Sequence, residues 1–316
     1  MRSFLIASST PTRSLFAILL SLACWSAEQP CAAFDNVDSE AAATIVEKDA
    51  TVFGFKLHYR EAGDGRAVIL LHGLGGDGSR WGRTMSFMAD DFHMIALDQI
   101  GFGESNKPLA NYNHELLAEF LAEFMNTIGV SKASLVGHSM GAWVAMYVAV
   151  HHPDMVDRLI LVDGGSLTNP PRSSKLIRMQ NGTTLAATRE YFELMFYDKS
   201  RVTDQIVRDN YIRRLRVAYT IDKMQESRAK GIALMSEEQA RGIAVPTLIL
   251  WGKHDELLKP SDAAMLDRAI RDSRLVLIDE CGHIPQVEQP QEFNRLVREF
   301  LLQPDAAPAG RRGADR

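Results

Sequence analysis

The sequence predicts an α/β fold: a mostly parallel sheet of eight strands, helices on both of its faces, and a helical insertion after the sixth strand. Three observations carry this. Short apolar runs alternate with segments of helical periodicity between residues 44 and 163. The alternation stops between about Ser166 and Gly242, where helix-like segments occur without a convincing strand. It then resumes, with two further apolar runs, each ahead of a helix. Strands alternating with helices require a parallel sheet buried on both sides. Strands on either side of an insertion can share that sheet.

The elements follow in order. Arg2 and Arg13 precede an apolar run from Leu15 to Ala23, and small residues lead to Cys31-Ala32-Ala33. This is the pattern of an export signal over residues 1–33, cleaved near Ala33 or at Ala27. The run is too short for the ~20 apolar residues of a membrane span. Cys24 offers a lipoprotein anchor as a second reading, although Ser21 stands where such sites usually carry Leu. The expected location is therefore periplasmic or secreted. Losing Arg2, Arg13 and Glu28 would move the net charge from −5 to −6 and leave Cys281 as the one remaining cysteine of three, with no disulfide to form.

Thr44–Phe53 and Phe55–Glu61 read as a hairpin turning at Gly54, and Ala67–Leu71 and His93–Leu97 as the next two strands. Leu117, Phe120, Leu121 and Phe124 place a helix over 114–128. Ala133–Val136, a helix over Met140–His151, and Leu159–Val162 complete the first part, so the core takes residues 34–165 and 243–302. The insertion, a cap over residues 166–242, is predicted to hold helices at Arg189–Phe196, Thr203–Tyr219 and Met224–Met235. Beyond it come Thr247–Trp251, a helix over Ser261–Ile270, Leu275–Ile278, and a last helix over Gln291–Leu302. Residues 303–316, rich in Ala, Pro, Gly and Arg, read as a disordered tail.

Composition narrows the function. Of 316 residues, 46% are hydrophobic and 24% charged, the balance of a globular protein, and a net charge of −5 gives no surplus for nucleic acid. The cap alone is basic, with 14 Lys/Arg against 9 Asp/Glu, concentrated at Tyr211-Ile212-Arg213-Arg214-Leu215-Arg216. Two readings stand: a solvated helix face with stems packed on the core, or a receiver for an anionic substrate or a lipid surface. Its apolar residues, Tyr191, Phe192 and Met195 among them, equally fit a substrate pocket or a plain core.

Gly137-His138-Ser139-Met140-Gly141 fits G-x-S-x-G between a strand and a helix, the context that motif requires. A serine on so sharp a turn is thrust out with its hydroxyl exposed, ahead of a helix N-terminus that favours negative charge. A hydroxyl is a poor nucleophile without a base, and a base needs an orienting acid. Asp255 follows the strand ending at Trp251, and His283 follows the strand ending at Ile278. They are the expected acid and base, with Asp163 and His254 as substitutes. The loop His72-Gly73-Leu74-Gly75-Gly76 follows the third strand, and its glycines let backbone amides converge on an oxyanion. The expected donors are the amides of Leu74 and Met140, supported by His72, Gly73, Gly75 and His138. The loop lacks the Lys-Ser/Thr of a phosphate cradle. Cys281 shares the His283 loop and is expected to pack. No metal or organic cofactor is implied by these residues.

Residues 44–302 resemble the α/β-hydrolase superfamily. Asp98-Gln99-Ile100-Gly101-Phe102-Gly103-Glu104-Ser105 is similar to its structural D-x-x-G-x-G-x-S turn. Gly-His-Ser-Met-Gly, Val162-Asp163-Gly164-Gly165 and the run from Gly282 to Glu288 most resemble capped bacterial lipases and esterases. The resemblance implies an acyl-enzyme on Ser139 and a small-molecule or lipid ester as substrate. Carbon–carbon hydrolases of ring-cleavage products share the Cys-Gly-His stretch, but a Trp usually follows their His, and here it is Ile284. Cofactor-free perhydrolase or haloperoxidase chemistry on the same triad, and a receptor that kept only the scaffold, are the remaining readings. Dehalogenases and epoxide hydrolases use an Asp nucleophile, against which Ser139 argues.

Overall fold

The computed structural model describes residues 44–168, 174–181, 184–232 and 235–304. The expected export signal and nearly all of the expected tail lie outside these residues. Among the described residues no helix is long and apolar enough to cross a membrane.

One eight-stranded sheet runs through the molecule in the order β1-β2-β4-β3-β5-β6-β7-β8. β1 (Val46–Val52) and β2 (Phe55–Ala62) form the expected hairpin, closed by Phe53 and Gly54 at φ 51° and 80°. Two successive positive φ values match the right-handed twist of the flanking strands. β2 is also antiparallel to β4 (Phe92–Leu97), and the other five pairings are parallel. β3 (Arg66–Leu71) lies between β4 and β5 (Ala133–His138), and β6 (Val156–Val162) pairs directly with β7 (Thr247–Gly252). The strands on either side of the insertion thus do share one sheet. β8 (Ser273–Ile278) closes the edge.

Alternate residues of the central strands feed opposite faces, as the period of two requires. Ile69, Leu71, Ile95 and Leu97 join one core with α2 (His114–Thr127), α3 (Met140–His151) and α9 (Pro260–Ala269). Val68, Leu70, Met94 and Ala96 join a second with α1 (Gly82–Met88) and α11 (Pro290–Leu301). α1 had no counterpart in the sequence reading, because its seven residues carry too few turns to establish a period.

Between β6 and β7 lie α4 (Ser174–Asn181), α5 (Leu185–Met195), α6 (Asp204–Arg216), α7 (Ala218–Ala229) and α8 (Glu237–Arg241). The helix expected over Thr203–Tyr219 is two helices, broken at Val217 where φ is −121°. The one expected over Met224–Met235 stops at Ala229, since Gly231 takes φ +69°. A third apolar cluster joins α5 and α6 to Ile284 and Val287 at α10 (Pro285–Glu288). The inserted helices therefore pack on the loop that carries His283.

Candidate active site

Four chemically distinctive residues sit at the C-terminal ends of adjacent strands: Ser139 after β5, Asp163 after β6, Asp255 after β7 and His283 after β8. This is the rim at which such sheets present ligands. Ser139 has φ 50° and ψ −116°, a conformation few non-glycine residues adopt. The surroundings enforce it. A Cβ on Gly137 would stand 2.3 Å from the Gly141 carbonyl oxygen, and one on Gly141 2.5 Å from that of Leu71. The Ser139 amide donates to the Val162 carbonyl at 2.8 Å, fastening the turn to β6.

His283 Nε2 lies 3.0 Å from Ser139 Oγ, and its Nδ1 lies 2.7 Å from Asp255 Oδ2. Asp255 Oδ1 accepts from the amides of Leu257 at 2.7 Å and Leu258 at 2.9 Å. The carboxylate is thus fixed by its own loop and turned toward the imidazole. His283 and Asp255 are 1% and 5% exposed, so water does not compete for this relay. The serine, acid and histidine read from the sequence meet in one hydrogen-bonded line. His254 does not join it: it is exposed and packs its ring against Tyr197.

Asp163 plays another part. It is fully buried, accepts from the Gly252 amide at 2.9 Å, and lies with Asp255 and His283 in a group whose polar atoms are within 4.8 Å of one another. Burial, then the Asp255 charge, push its carboxyl well above the ordinary range. Asp163 is therefore held as a neutral carboxylic acid within this group.

The supporting loop residues are tied together as well. His72 Nε2 accepts the Gln99 amide at 3.1 Å, so its Nδ1 carries the proton and donates to the Gly73 carbonyl at 2.9 Å. His138 Nε2 donates to the His283 carbonyl at 2.7 Å, and burial, helped by His283, holds this imidazole neutral. Among the described residues, the amides of Leu74 and Met140 donate to no backbone or side-chain oxygen. Asp98 accepts from the amides of Gly78 and Glu104, which confirms the D-x-x-G-x-G-x-S turn as a brace. Cys281 is buried with its thiol pushed up by desolvation, so it packs rather than reacts.

Two lobes of open space, about 520 and 500 Å³, meet at Ser139, Leu74 and Tyr191. One is lined by His283, Phe192, Met195 and Arg214, the other by Met140, Trp143, Met224 and Leu258. Tyr191, Phe192 and Met195, for which pocket and core stood open, do face the first lobe. Sequence reading missed Glu288, whose carboxylate accepts from the amides of Tyr197 at 2.7 Å and Gly282 at 2.8 Å. It stood in the sequence only as the end of the run from Gly282, and its tie to Tyr197 was hidden because that partner is 91 residues away. His283 N also donates to the Met195 carbonyl at 2.7 Å, so the end of α5 and the histidine loop form one unit.

Comparison with known proteins follows the same lines. Residues 66–290 match the model of the alpha/beta hydrolase fold family. The chain belongs to that family. This hydrolase is 29% identical over 275 residues to 2-hydroxy-6-oxo-6-phenylhexa-2,4-dienoate hydrolase of Comamonas testosteroni, covering 83% of this chain and 96% of that one. The meta-cleavage product hydrolase CumD of Pseudomonas fluorescens IP01 has a similar structure, with a TM-score of 0.74, 28% identity and coverage of 80% and 97%. A membrane phospholipase A described as a bacterial virulence factor gives 0.73 and 28%, with coverage of 81% and 86%. The protein is a serine hydrolase of this family.

Proposed function

We propose that the enzyme hydrolyses carboxylic esters through an acyl-enzyme on Ser139. The observation that carries this is the unbroken relay from Ser139 Oγ through His283 to Asp255 beside two uncommitted amides. Ser139 Oγ attacks the carbonyl carbon as its proton passes to His283 Nε2, with Nδ1–H held on Asp255 Oδ2. The amides of Leu74 and Met140 receive the oxyanion. His283 then protonates the leaving alcohol and takes a proton from water, whose oxygen attacks the acyl carbon; the bond to Ser139 Oγ breaks as His283 returns the proton to Oγ, releasing the acid.

A second reading is carbon–carbon hydrolysis of a ring-cleavage product, favoured by the names of the Comamonas and Pseudomonas relatives. The phospholipase A among the similar structures favours the ester reading, as does Ile284 in place of Trp after His283. Turnover of a 4-nitrophenyl ester series from acetate to palmitate is measured beside 2-hydroxy-6-oxo-6-phenylhexa-2,4-dienoate. Esters are expected to be cleaved with the higher kcat/KM; the reverse order gives the reaction to carbon–carbon cleavage. Export belongs to the same proposal. N-terminal sequencing of the cell-fractionated protein is expected to start after Ala33 or Ala27, and an intact Met1 in the cytosol overturns it.

A further inference from the structure

Two residues of the lobe that holds Ser139 and His283 carry buried polar atoms with no partner. Trp81 is 0% exposed and Gln286 4% exposed, and both line that lobe. Trp81 Nε1 and Gln286 Oε1 are each shut off from solvent and make no hydrogen bond among the described residues. Unpaired buried donors and acceptors are costly, so nearly all of those in folded proteins are matched. The relay and the oxyanion loop use neither of these two.

The two atoms are of opposite kind and stand on elements that pack together. Trp81, just ahead of α1, lays its ring beside Phe293 of α11 with centroids 6.2 Å apart. Thr84 Oγ1 on α1 donates to Asn294 Oδ1 on α11 at 2.9 Å. Gln286 is on α10, which only Gln289 separates from α11. This side of the lobe therefore offers one donor and one acceptor. An indole N–H only donates and a carboxamide oxygen only accepts, whereas a hydroxyl does both with a single oxygen. We propose that Trp81 and Gln286 form a subsite for a neutral hydroxyl of the substrate and so determine specificity for a hydroxylated ester. This deepens the ester-hydrolase reading of the same cavity and rests on it.

Esters that differ only in a terminal hydroxyl or methyl test it. 4-Nitrophenyl ω-hydroxyalkanoates from hexanoate to decanoate are set against the methyl-ended esters one carbon longer, and monoacetates of α,ω-diols against the matching alkyl acetates. At one length in one series the hydroxyl ester is expected to exceed its methyl counterpart about five- to a hundredfold in kcat/KM, the range for two neutral hydrogen bonds. The series that shows it tells whether the acyl or the alcohol part enters the lobe. Trp81→Phe and Gln286→Leu should each lower that ratio at least about threefold. A ratio at or below one at every length, as a retained water bridging the two atoms would give, overturns the proposal, and so does a ratio that neither substitution moves. A second measurement needs no turnover. The indole N–H signals of ¹⁵N-labelled protein, assigned by substituting each tryptophan in turn, are followed during titration with hexan-1-ol and with its isomer 1-methoxypentane, which has no O–H. Tighter binding of the alcohol at the Trp81 signal supports the subsite even if no ester is cleaved. Equal binding, or an unmoved Trp81 signal, overturns it.

Discussion

The turn around Ser139 and the helical wall facing it are held by different physics. The turn is fixed by backbone meeting backbone: Gly137 and Gly141 sit where any side chain would collide with a carbonyl. The wall is fixed by side chains reaching across the chain, through Arg213 to Asp77, Arg80 to Asn210 and Glu288 to the Tyr197 and Gly282 amides. The first arrangement penalises any side chain added at either glycine and concerns the reaction itself. The second is made of separable polar ties and concerns what the reaction is offered. The sheet edge sets the chemistry, while the inserted helices set the shape and charge of the space beside it.

Breaking the turn's chemistry should have the largest effect. Ser139→Ala is expected to lower kcat on a chromogenic ester by at least about 10⁴-fold with an unchanged circular dichroism spectrum, and Asp255→Asn by about 10⁴ through the wrong tautomer of His283. Activity within tenfold of wild type in both would reassign the site. Next comes the turn's packing. Gly141→Ala drives a methyl into the Leu71 carbonyl and is expected to cost about 1–3 kcal/mol or more, read as a lowered denaturation midpoint.

The wall should respond more gently. Glu288→Gln keeps one acceptor oxygen but turns its carboxamide NH2, a donor, toward the other backbone N–H, so the histidine loop and the end of α5 should separate. A fall in kcat/KM of about tenfold is expected, on the order of one charged hydrogen bond. An unchanged value would show that the apolar contacts of Ile284 and Val287 hold the unit alone.

Asp163 offers a comparison by pH. Its carboxyl is raised by burial and by Asp255, so the folded protein keeps a proton that the unfolded chain releases. Its stabilising contribution is complete below the unfolded pKa of about 3.9 and is lost as pH rises toward the folded value. Asp163→Asn, neutral at every pH, should therefore gain in thermal midpoint relative to wild type as pH increases from about 4 to 8. A gap that shrinks over this range would mean that Asp163 is charged in the fold. The smallest effect is expected at Glu226, an exposed partner of Lys223 and Lys230. Glu226→Gln should leave activity and midpoint unchanged within error.

Much of this was readable along the chain. The eight strands, the serine on its turn, and the acid and histidine after β7 and β8 are local patterns, because apolar periodicity and glycine spacing act within a few residues. The break at Val217 was not readable, since Thr203–Tyr219 keeps helical composition throughout and the bend is imposed by packing. Arg214 was visible only as one charge in a basic run. Nothing local tells that it turns inward onto Tyr191 while Arg216 stays exposed.

By itself the sequence determined the α/β class, the place of the insertion and which serine, aspartate and histidine stand at the ends of their strands, since each is written in short-range spacing. Only the tertiary structure decided that β4 lies outside β3, that Asp163 is a neutral companion rather than the acid, and that one arginine of the cap faces the nucleophile's cavity. Those outcomes depend on which distant groups are brought together, and burial and charge act through space rather than along the chain.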